Sequence, residues 1–194
     1  EDAANVVVRN KLGEMTIERA MLVACAKGST EIRGNRFIGR LYVVWPYDES
    51  GAVITEESLR SRFPLAWDCF WRQREQLMAR EKGKFEGPLW WRFRRPQGVA
   101  VARHEKILIP SIMQSASAYH DRAGQVICTA SGSGGGGGWT IRLREGAEMA
   151  YERLAEFLTS DDYWQWLEEN GSPWRGGWRG VDQKILNRVP VPMR

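Results

Sequence analysis

Residues 41–78 read LYVVWPYDESGAVITEESLRSRFPLAWDCFWRQREQLM, a strand pattern followed directly by helix patterns. The apolar run at 41–45 predicts a buried strand, which Pro46 ends because proline donates no ladder hydrogen bond. Thr55 has the side chain of a helix N-cap, and two glutamates follow it, where the helix dipole favours negative charge. A mixture of strands and helices is therefore expected.

A second helix is predicted to begin at Pro64, because proline fits a first helical turn, and to end at Gly83. Its large apolar residues fall on one helical face, and its charged residues lie off that face. This pattern predicts a core-forming helix, so its aromatic residues are given no binding role. The apolar positions are Trp67, Phe70, Trp71, Leu77 and Met78.

The other elements are predicted on both sides of these helices. They are a helix at 17–26, a strand at 106–109 closed by Pro110, a hairpin at 119–129 around HDRAG, a strand at 139–144, and helices at 147–158, 160–170 and 181–188. Strands precede helices near the carboxyl end, so the expected class is α+β, with mixed sheets and packed helices.

Composition sets the class of protein. A chain of 194 residues with 43% hydrophobic and 27% charged residues supports a packed core, and we expect one domain over 1–194. No apolar run reaches about 18 residues, so no membrane contact is expected. The start, EDAANVVVRN, has neither a signal pattern nor an initiator Met, which indicates a piece of a longer protein.

The cysteines indicate a reducing environment. Cys25, Cys69 and Cys128 are odd in number and far apart, and neither His104 nor His120 stands at ligand spacing from them. The sequence therefore predicts no disulfide framework, no metal site and a cytoplasmic location.

No catalytic motif stands out. The run Asp161-Asp162 is explained as a helix start, no serine lies in a Gly-x-Ser-x-Gly elbow, and the Asn-Pro-Pro-Tyr motif that holds a flipped adenine is absent. No catalytic residue is assigned, and the chain is not expected to be an enzyme by itself.

The basic residues favour nucleic acid. Of 28 basic residues, 22 are Arg, whose planar fork binds phosphate and guanine in bidentate fashion. They occur in three clusters beside glycine, proline or tryptophan, a pattern typical of contact with a nucleic-acid backbone. For each cluster taken singly, a solvated surface patch is the alternative. The clusters are Arg33, Arg36 and Arg40; Arg92, Arg94 and Arg95; and Arg175 and Arg179.

The glycine run SGSGGGGGW, residues 131–139, has three interpretations. Its G-x-G-x-x-G spacing suits a nucleotide-cofactor loop, but such a loop opens a helix, and WTIRLR after it has a strand pattern. The composition also suits an engineered spacer. The third interpretation is a native loop, with Gly134 and Gly136 exposing their backbone to a ligand.

The order of motifs resembles a known family. ERAMLVACAKGSTEIRG, LYVVWPYDESG, WWRFRRP, KILIPSI, AYHDRAGQVICTASGSGGGGGW and GSPWRGGWRGVDQKILNRVPVP follow one another as in the TaqI-like C-terminal specificity domain. This is the target-recognition domain of adenine-specific DNA methyltransferases, including single-chain restriction–modification and BREX-type phage-defence enzymes. The resemblance covers about residues 15–192.

The resemblance implies a reader of double-stranded DNA. A separate amino-terminal Rossmann domain, absent here, would bind S-adenosylmethionine and flip the adenine. Gln114 would pair with adenine, Arg33 or Arg36 with guanine, and Arg175 and Arg179 with phosphate. The segment SIMQSAS, from Ser111 to Ser117, corresponds to a recognition segment.

Two other functions remain open from the residues. The domain could hold protein partners in a phage-defence assembly, or the glycine run could make the chain a small cofactor-binding enzyme. In the DNA-recognition interpretation, this chain itself holds no cofactor and no metal.

Overall fold

The computed structural model describes residues 4–11, 13–93, 98–99, 102–128 and 137–192. These residues form a mixed α+β fold with several small sheets and six α-helices. The chain divides into two compact units, called unit 1 and unit 2. Unit 1 consists of Glu1–Val23 and Val43–Ala102, and unit 2 of Ala24–Tyr42 and Arg103–Arg194.

Unit 1 combines an antiparallel hairpin with three helices. Its helix α2 packs on strand β2, and its core includes Ile17, Leu59 and Trp91. The elements are β1 (Asn5–Asn10), β2 (Gly13–Glu18), α1 (Glu56–Arg62), α2 (Pro64–Arg72) and α3 (Arg74–Met78).

One further sheet contains strands β3 (Leu22–Ala26) and β6 (Leu41–Val44). Together with β10 (Val126–Cys128) they form a sheet of order β10-β3-β6, in which β10 and β3 are parallel.

Unit 2 contains three further small sheets and three helices. Their orders are β11-β7-β9, β12-β13-β8 and β4-β5. The elements are β4 (Ile32–Arg33), β5 (Arg36–Phe37), β7 (Lys106–Pro110), β8 (Ile112–Met113), β9 (Tyr119–Asp121), β11 (Gly138–Ile141), α4 (Tyr151–Leu158), α5 (Asp161–Asn170), β12 (Ser172–Pro173), β13 (Arg179–Gly180) and α6 (Gln183–Leu186).

Strand β7 is the centre of unit 2. All five of its residues are buried, and helix α4 packs against it. Ile107 and Ile109 join Leu154, Tyr163 and Leu167 of the helices in one apolar cluster. Leu108 points to the opposite face of the strand and joins a second cluster with Ala26, Ile32 and Val126.

The predicted helix starts near Thr55, Pro64 and Ser160 are confirmed, and two of them have a capping side chain. Thr55 caps α1 by accepting a hydrogen bond from the Ser58 N–H, at 3.2 Å, and Pro64 is the first residue of α2. Ser160 caps α5 through the Tyr163 N–H, at 3.2 Å. Each cap satisfies an N–H that has no partner within its own helix.

The predicted helix at 17–26 is wrong. The chain there completes β2, makes a 3₁₀ turn at Arg19–Met21, and continues as β3. The β3 sequence LVACA is almost wholly buried, and a short run that is apolar on every face does not distinguish a buried strand from a helix.

The helix predicted from Pro64 to Gly83 is shorter and divided. It breaks at Gln73, whose side-chain amide donates to the Cys69 carbonyl at 3.3 Å, so the side chain competes with the backbone for that acceptor. Trp71, expected in the core, is 47% exposed, and the Arg74 guanidinium lies 4.9 Å from the centre of its ring.

The HDRAG segment makes a turn but no hairpin. The Asp121 carboxylate accepts hydrogen bonds from the backbone N–H groups of Gln125 and Val126, each at 2.9 Å, and Gly124 adopts φ +64°. Strand β9 pairs with β7, whereas β10 pairs with β3. The turn therefore moves the chain from one sheet to another.

The three cysteines are free, and burial raises the pKa of all three, which lowers stability at alkaline pH. Burial raises the pKa of Cys25 from 9.0 to about 11 and that of Cys128 from 9.0 to about 12. Between pH 9.0 and about 12 the folded chain holds more protons than the unfolded chain, so the free energy of unfolding falls as pH rises.

Urea unfolding across this pH window measures the effect. Lys106, whose pKa is lowered by burial, acts in the opposite direction up to its ordinary value of 10.5. The cysteine contribution is therefore isolated by comparison with Cys25→Ala and Cys128→Ala, in which the loss should be smaller. An unchanged pH dependence in both variants would contradict the assignment.

Candidate nucleic-acid interface

The β4–β5 hairpin of unit 2 presents two arginines side by side. Arg33 and Arg36 are directly opposite each other in the strand register, and both are exposed. The turn between them is Gly34-Asn35, with Gly34 at φ +55°. Like charges directly across a strand pair destabilise it, so this hairpin holds two guanidinium groups together at a cost in stability.

A neighbouring segment holds the tip of this hairpin. The Gly34 N–H donates to the Ser117 hydroxyl at 3.1 Å, and the Gly34 carbonyl accepts from the Ala118 N–H at 2.8 Å. Ser117 is buried, and its hydroxyl also donates to the Ser115 carbonyl at 3.0 Å. Ser117 thus positions the arginine hairpin.

The same segment reaches the Arg175 loop. The exposed Gln114 side chain donates to the Gly176 carbonyl at 2.9 Å. A hydrogen bond from the Trp174 N–H to the Trp178 carbonyl, at 2.9 Å, closes the loop, in which Gly176 has φ +74°. Arg175 is exposed on this loop.

Ser111 connects the end of the glycine run to this region. It is buried, and both its N–H and its hydroxyl donate to the Gly137 carbonyl, each at 3.0 Å. Its own carbonyl accepts from the Val181 N–H at 2.7 Å, just after β13. Ser111 therefore has a structural role, because its side chain is buried and its hydroxyl donates to the Gly137 carbonyl.

Two other predicted arginines, Arg179 and Arg40, differ in exposure and in their hydrogen bonds. Arg179 is half-buried, and its guanidinium donates to the Glu168 carbonyl in the last turn of α5 at 3.3 Å. This contact places a positive charge at the negative end of the helix dipole. Arg40 is exposed, and its backbone N–H donates to the buried Glu31 carboxylate at 2.9 Å.

The remaining predicted residues lie elsewhere. Arg92 is an exposed residue of unit 1, and its carbonyl accepts from Arg80 at 3.0 Å. The other four, Arg94, Arg95, Gly134 and Gly136, lie outside the described residues. Strand β11 begins at Gly138, the last glycine of the run, and continues to Ile141, so a strand forms where the WTIRLR pattern predicted one.

Hydrogen bonds therefore connect three of the predicted segments in unit 2. The Arg33–Arg36 hairpin contacts Ser117 and Ala118, and Gln114 contacts the Arg175 loop. Because three residues span about 10 Å at most, Gln114 and Ser117 are close neighbours. We call the exposed set Arg33, Asn35, Arg36, Gln114 and Arg175 the arginine–amide surface.

Sequence reasoning missed Asn35 on this surface. Asn35 is exposed at the turn between the two arginines, and its amide has the donor and acceptor pair that matches adenine. The Gly-Asn pair between short polar and apolar runs is a hairpin signal that would have identified it.

A second group that the sequence did not indicate is Glu105, His120 and Glu152. Their ligand atoms lie within 4.8 Å of one another although the residues are distant in sequence. No spacing rule joins a loop, a strand and a helix, so only the folded chain brings these three residues together.

Comparison with known proteins adds no assignment: no family model and no curated protein matches this chain. Within the described residues, no helix has the length and apolar character needed to cross a membrane.

Proposed function

We propose that this chain is the DNA target-recognition module of an adenine-specific DNA methyltransferase, with the TaqI-like specificity fold. In this role it reads duplex DNA and transfers no methyl group itself. A separate domain of the same enzyme binds S-adenosylmethionine and flips the adenine.

The observation that carries the proposal is the arginine–amide surface. Arg33 and Arg36 on the hairpin, Gln114, and Arg175 come from three distant parts of the sequence, and hydrogen bonds at 2.8–3.1 Å connect their segments. A solvated patch needs no such connections. Fixed positions matter for reading DNA, since a base contact discriminates only when its donors and acceptors are held in place.

The chemistry of the surface suits a duplex. Guanidinium forks bind phosphate oxygens or the O6 and N7 of guanine, and amide side chains pair with N6 and N7 of adenine. The glycines beside Arg175 carry no side chains, so the loop backbone has room to approach a phosphate. The α+β arrangement of small sheets and short helices agrees in class with a TaqI-like domain.

Binding to duplex DNA should depend strongly on salt. We expect a labelled random-sequence duplex to bind this chain at ~50 mM salt and to be released steeply by ~200 mM, because phosphate contacts displace counterions. Arg175→Ala should weaken all sequences alike and reduce the salt slope by about 1, as expected for one lost phosphate contact. Fluorescence anisotropy measures both quantities.

The hairpin arginines should affect specificity. After selection from a random duplex pool, Arg33→Ala or Arg36→Ala should cost ~1–3 kcal/mol on the selected sequence and relax one base position. The control is Arg9→Ala, an exposed arginine of unit 1 outside the predicted clusters. If no duplex binds even at low salt, or if all three arginine variants bind like Arg9→Ala, the proposal fails.

One observation favours a second candidate, a protein-interaction module. Val7 and Trp71 of unit 1 are large apolar residues that remain 67% and 47% exposed, so both are accessible to a protein partner. Partner capture with the Arg175→Ala, Arg179→Ala double variant separates the two functions. A partner retained by that variant but lost with Trp71→Ala would favour the protein-binding role.

A further inference from the structure

Three potential metal ligands meet in unit 2, and none of them belongs to the arginine–amide surface. Glu105 precedes β7, His120 lies on β9, and Glu152 is in the first turn of α4. Each offers one ligand atom, and these atoms all lie within 4.8 Å of one another. The closest approach is 2.7 Å, between His120 Nε2 and a Glu105 carboxylate oxygen.

The separations are near those that a bound ion requires. With metal–ligand bonds of ~2.0–2.2 Å, neighbouring ligand atoms in a tetrahedral site are ~3.4 Å apart. No pair has to close by more than about 1.4 Å, and the 2.7 Å pair of His120 and Glu105 has to open by about 0.7 Å. Both glutamates are long side chains with about half their surface exposed, so their carboxylates have room to adjust to an ion.

The histidine is fixed in place before any ion binds. Its side chain is only 10% exposed, and its ring stacks on Tyr151, with ring centres 5.4 Å apart. The Tyr151 hydroxyl donates to the Glu105 carbonyl at 3.0 Å and accepts from the Leu143 N–H at 3.1 Å. One tyrosine thus orients the imidazole and anchors the backbone of a second ligand, as supporting residues of metal sites do.

The charges around these three residues are compatible with binding of a cation. Arg122 pairs with Glu152 at 3.1 Å through one carboxylate oxygen, and the second oxygen remains a potential ligand. The two carboxylates and one neutral imidazole carry a formal charge of −2, which matches a divalent cation. A mixed nitrogen and oxygen donor set suits Zn²⁺ and Mn²⁺ and is too soft for Mg²⁺ or Ca²⁺ to be preferred.

We propose that Glu105, His120 and Glu152 form a binding site for a divalent transition-metal ion, with water completing the coordination. The ion links the loop before β7, strand β9 and helix α4, in addition to the β7–β9 pairing, the His120–Glu105 contact, the Tyr151 contacts and the Arg122–Glu152 ion pair. Its effect is to stabilise the folded chain, since a ligand that binds only the folded state raises its stability.

Calorimetric titration with Zn²⁺, together with thermal unfolding, tests the site. We expect one Zn²⁺ per chain and a higher Tm when Zn²⁺ is present. Glu105→Gln and Glu152→Gln should each weaken binding at least tenfold and remove most of the Tm increase. Both side chains are half-exposed, so both variants should fold and melt like the original chain without metal.

Matched controls separate this site from other ligands. Glu148→Gln and His104→Asn change an exposed glutamate and the other histidine, and both should keep full Zn²⁺ affinity. Mn²⁺, which binds thiolates poorly, should also bind, which excludes the three cysteines as the source. Absence of Zn²⁺ binding, or full affinity in either ligand variant, overturns the proposal.

Discussion

Asn in place of Asp121 is expected to lower the free energy of unfolding by about 3–5 kcal/mol. The Asp121 carboxylate and the Lys106 ammonium are 2.7 Å apart and only 2% and 1% exposed. The amide keeps the shape of the carboxylate but removes its negative charge from beside the buried ammonium. Denaturant unfolding at neutral pH measures the loss.

Substitution of Lys106, the partner of Asp121, tests whether the loss of stability is caused by charge. Lys106→Met removes the buried positive charge of the ammonium. The Asp121→Asn, Lys106→Met double variant should therefore be more stable than Asp121→Asn alone. Replacing both charges of a buried pair by neutral groups is often nearly neutral in free energy. A double variant at least as unstable as the sum of the two single variants would contradict a charge-based explanation.

Ala in place of Gly138 is expected to cost about 3 kcal/mol, at the upper end of the range for overpacked cores. A Cβ at this position would lie 2.3 Å from the Ile109 carbonyl oxygen and 2.7 Å from the Cys128 sulfur. The first neighbour is the backbone of β7, the central strand of its sheet, which has no room to move. The strand pair β7–β11 would have to separate.

Thermal unfolding of Gly138→Ala, with Gly98→Ala as control, measures this effect. A Cβ at Gly98 meets no atom within 4 Å, so that variant should melt within a degree or two of the original chain. If Gly138→Ala melts like Gly98→Ala, the close approach of the strands is wrong. The expected result means that the last glycine of the run is needed for the close pairing of β11 with β7.

Local features of the sequence predicted local structure well. The caps at Thr55 and Ser160 and the proline at Pro64 each act within one helical turn, so the interactions that decide them are adjacent in sequence. The strand after the glycine run followed from its alternating pattern in the same way.

Errors occurred where a distant partner decides the structure. The run at 22–26 is a strand because β10, about a hundred residues later, pairs with it. The segments at 119–121 and 126–128 have the pattern of a hairpin, but they do not pair with each other. The first pairs with β7 and the second with β3. Periodicity contains no information about which partner a strand selects.

The candidate site likewise has features that the sequence indicated and features that only the fold shows. Clustering of Arg beside glycine and tryptophan pointed to Arg33, Arg36 and Arg175, and the family resemblance pointed to Gln114. Neither source predicted that Ser117 holds the hairpin tip or that Gln114 binds the Arg175 loop. Burial also distinguishes two kinds of predicted residue. Ser111 and Ser117 are buried and hold neighbouring segments in place, whereas the exposed side chains are accessible to a ligand.

By itself, the sequence determined the α+β class, the helix starts at Thr55, Pro64 and Ser160, and the basic, arginine-rich composition, because these depend on residue types and on neighbours within a few residues. Only the tertiary structure decided which strands pair, which arginines lie together, and that Glu105, His120 and Glu152 converge. Those contacts join residues that are far apart in the chain. They form only when the intervening segments fold, and closing the loops between them costs conformational entropy.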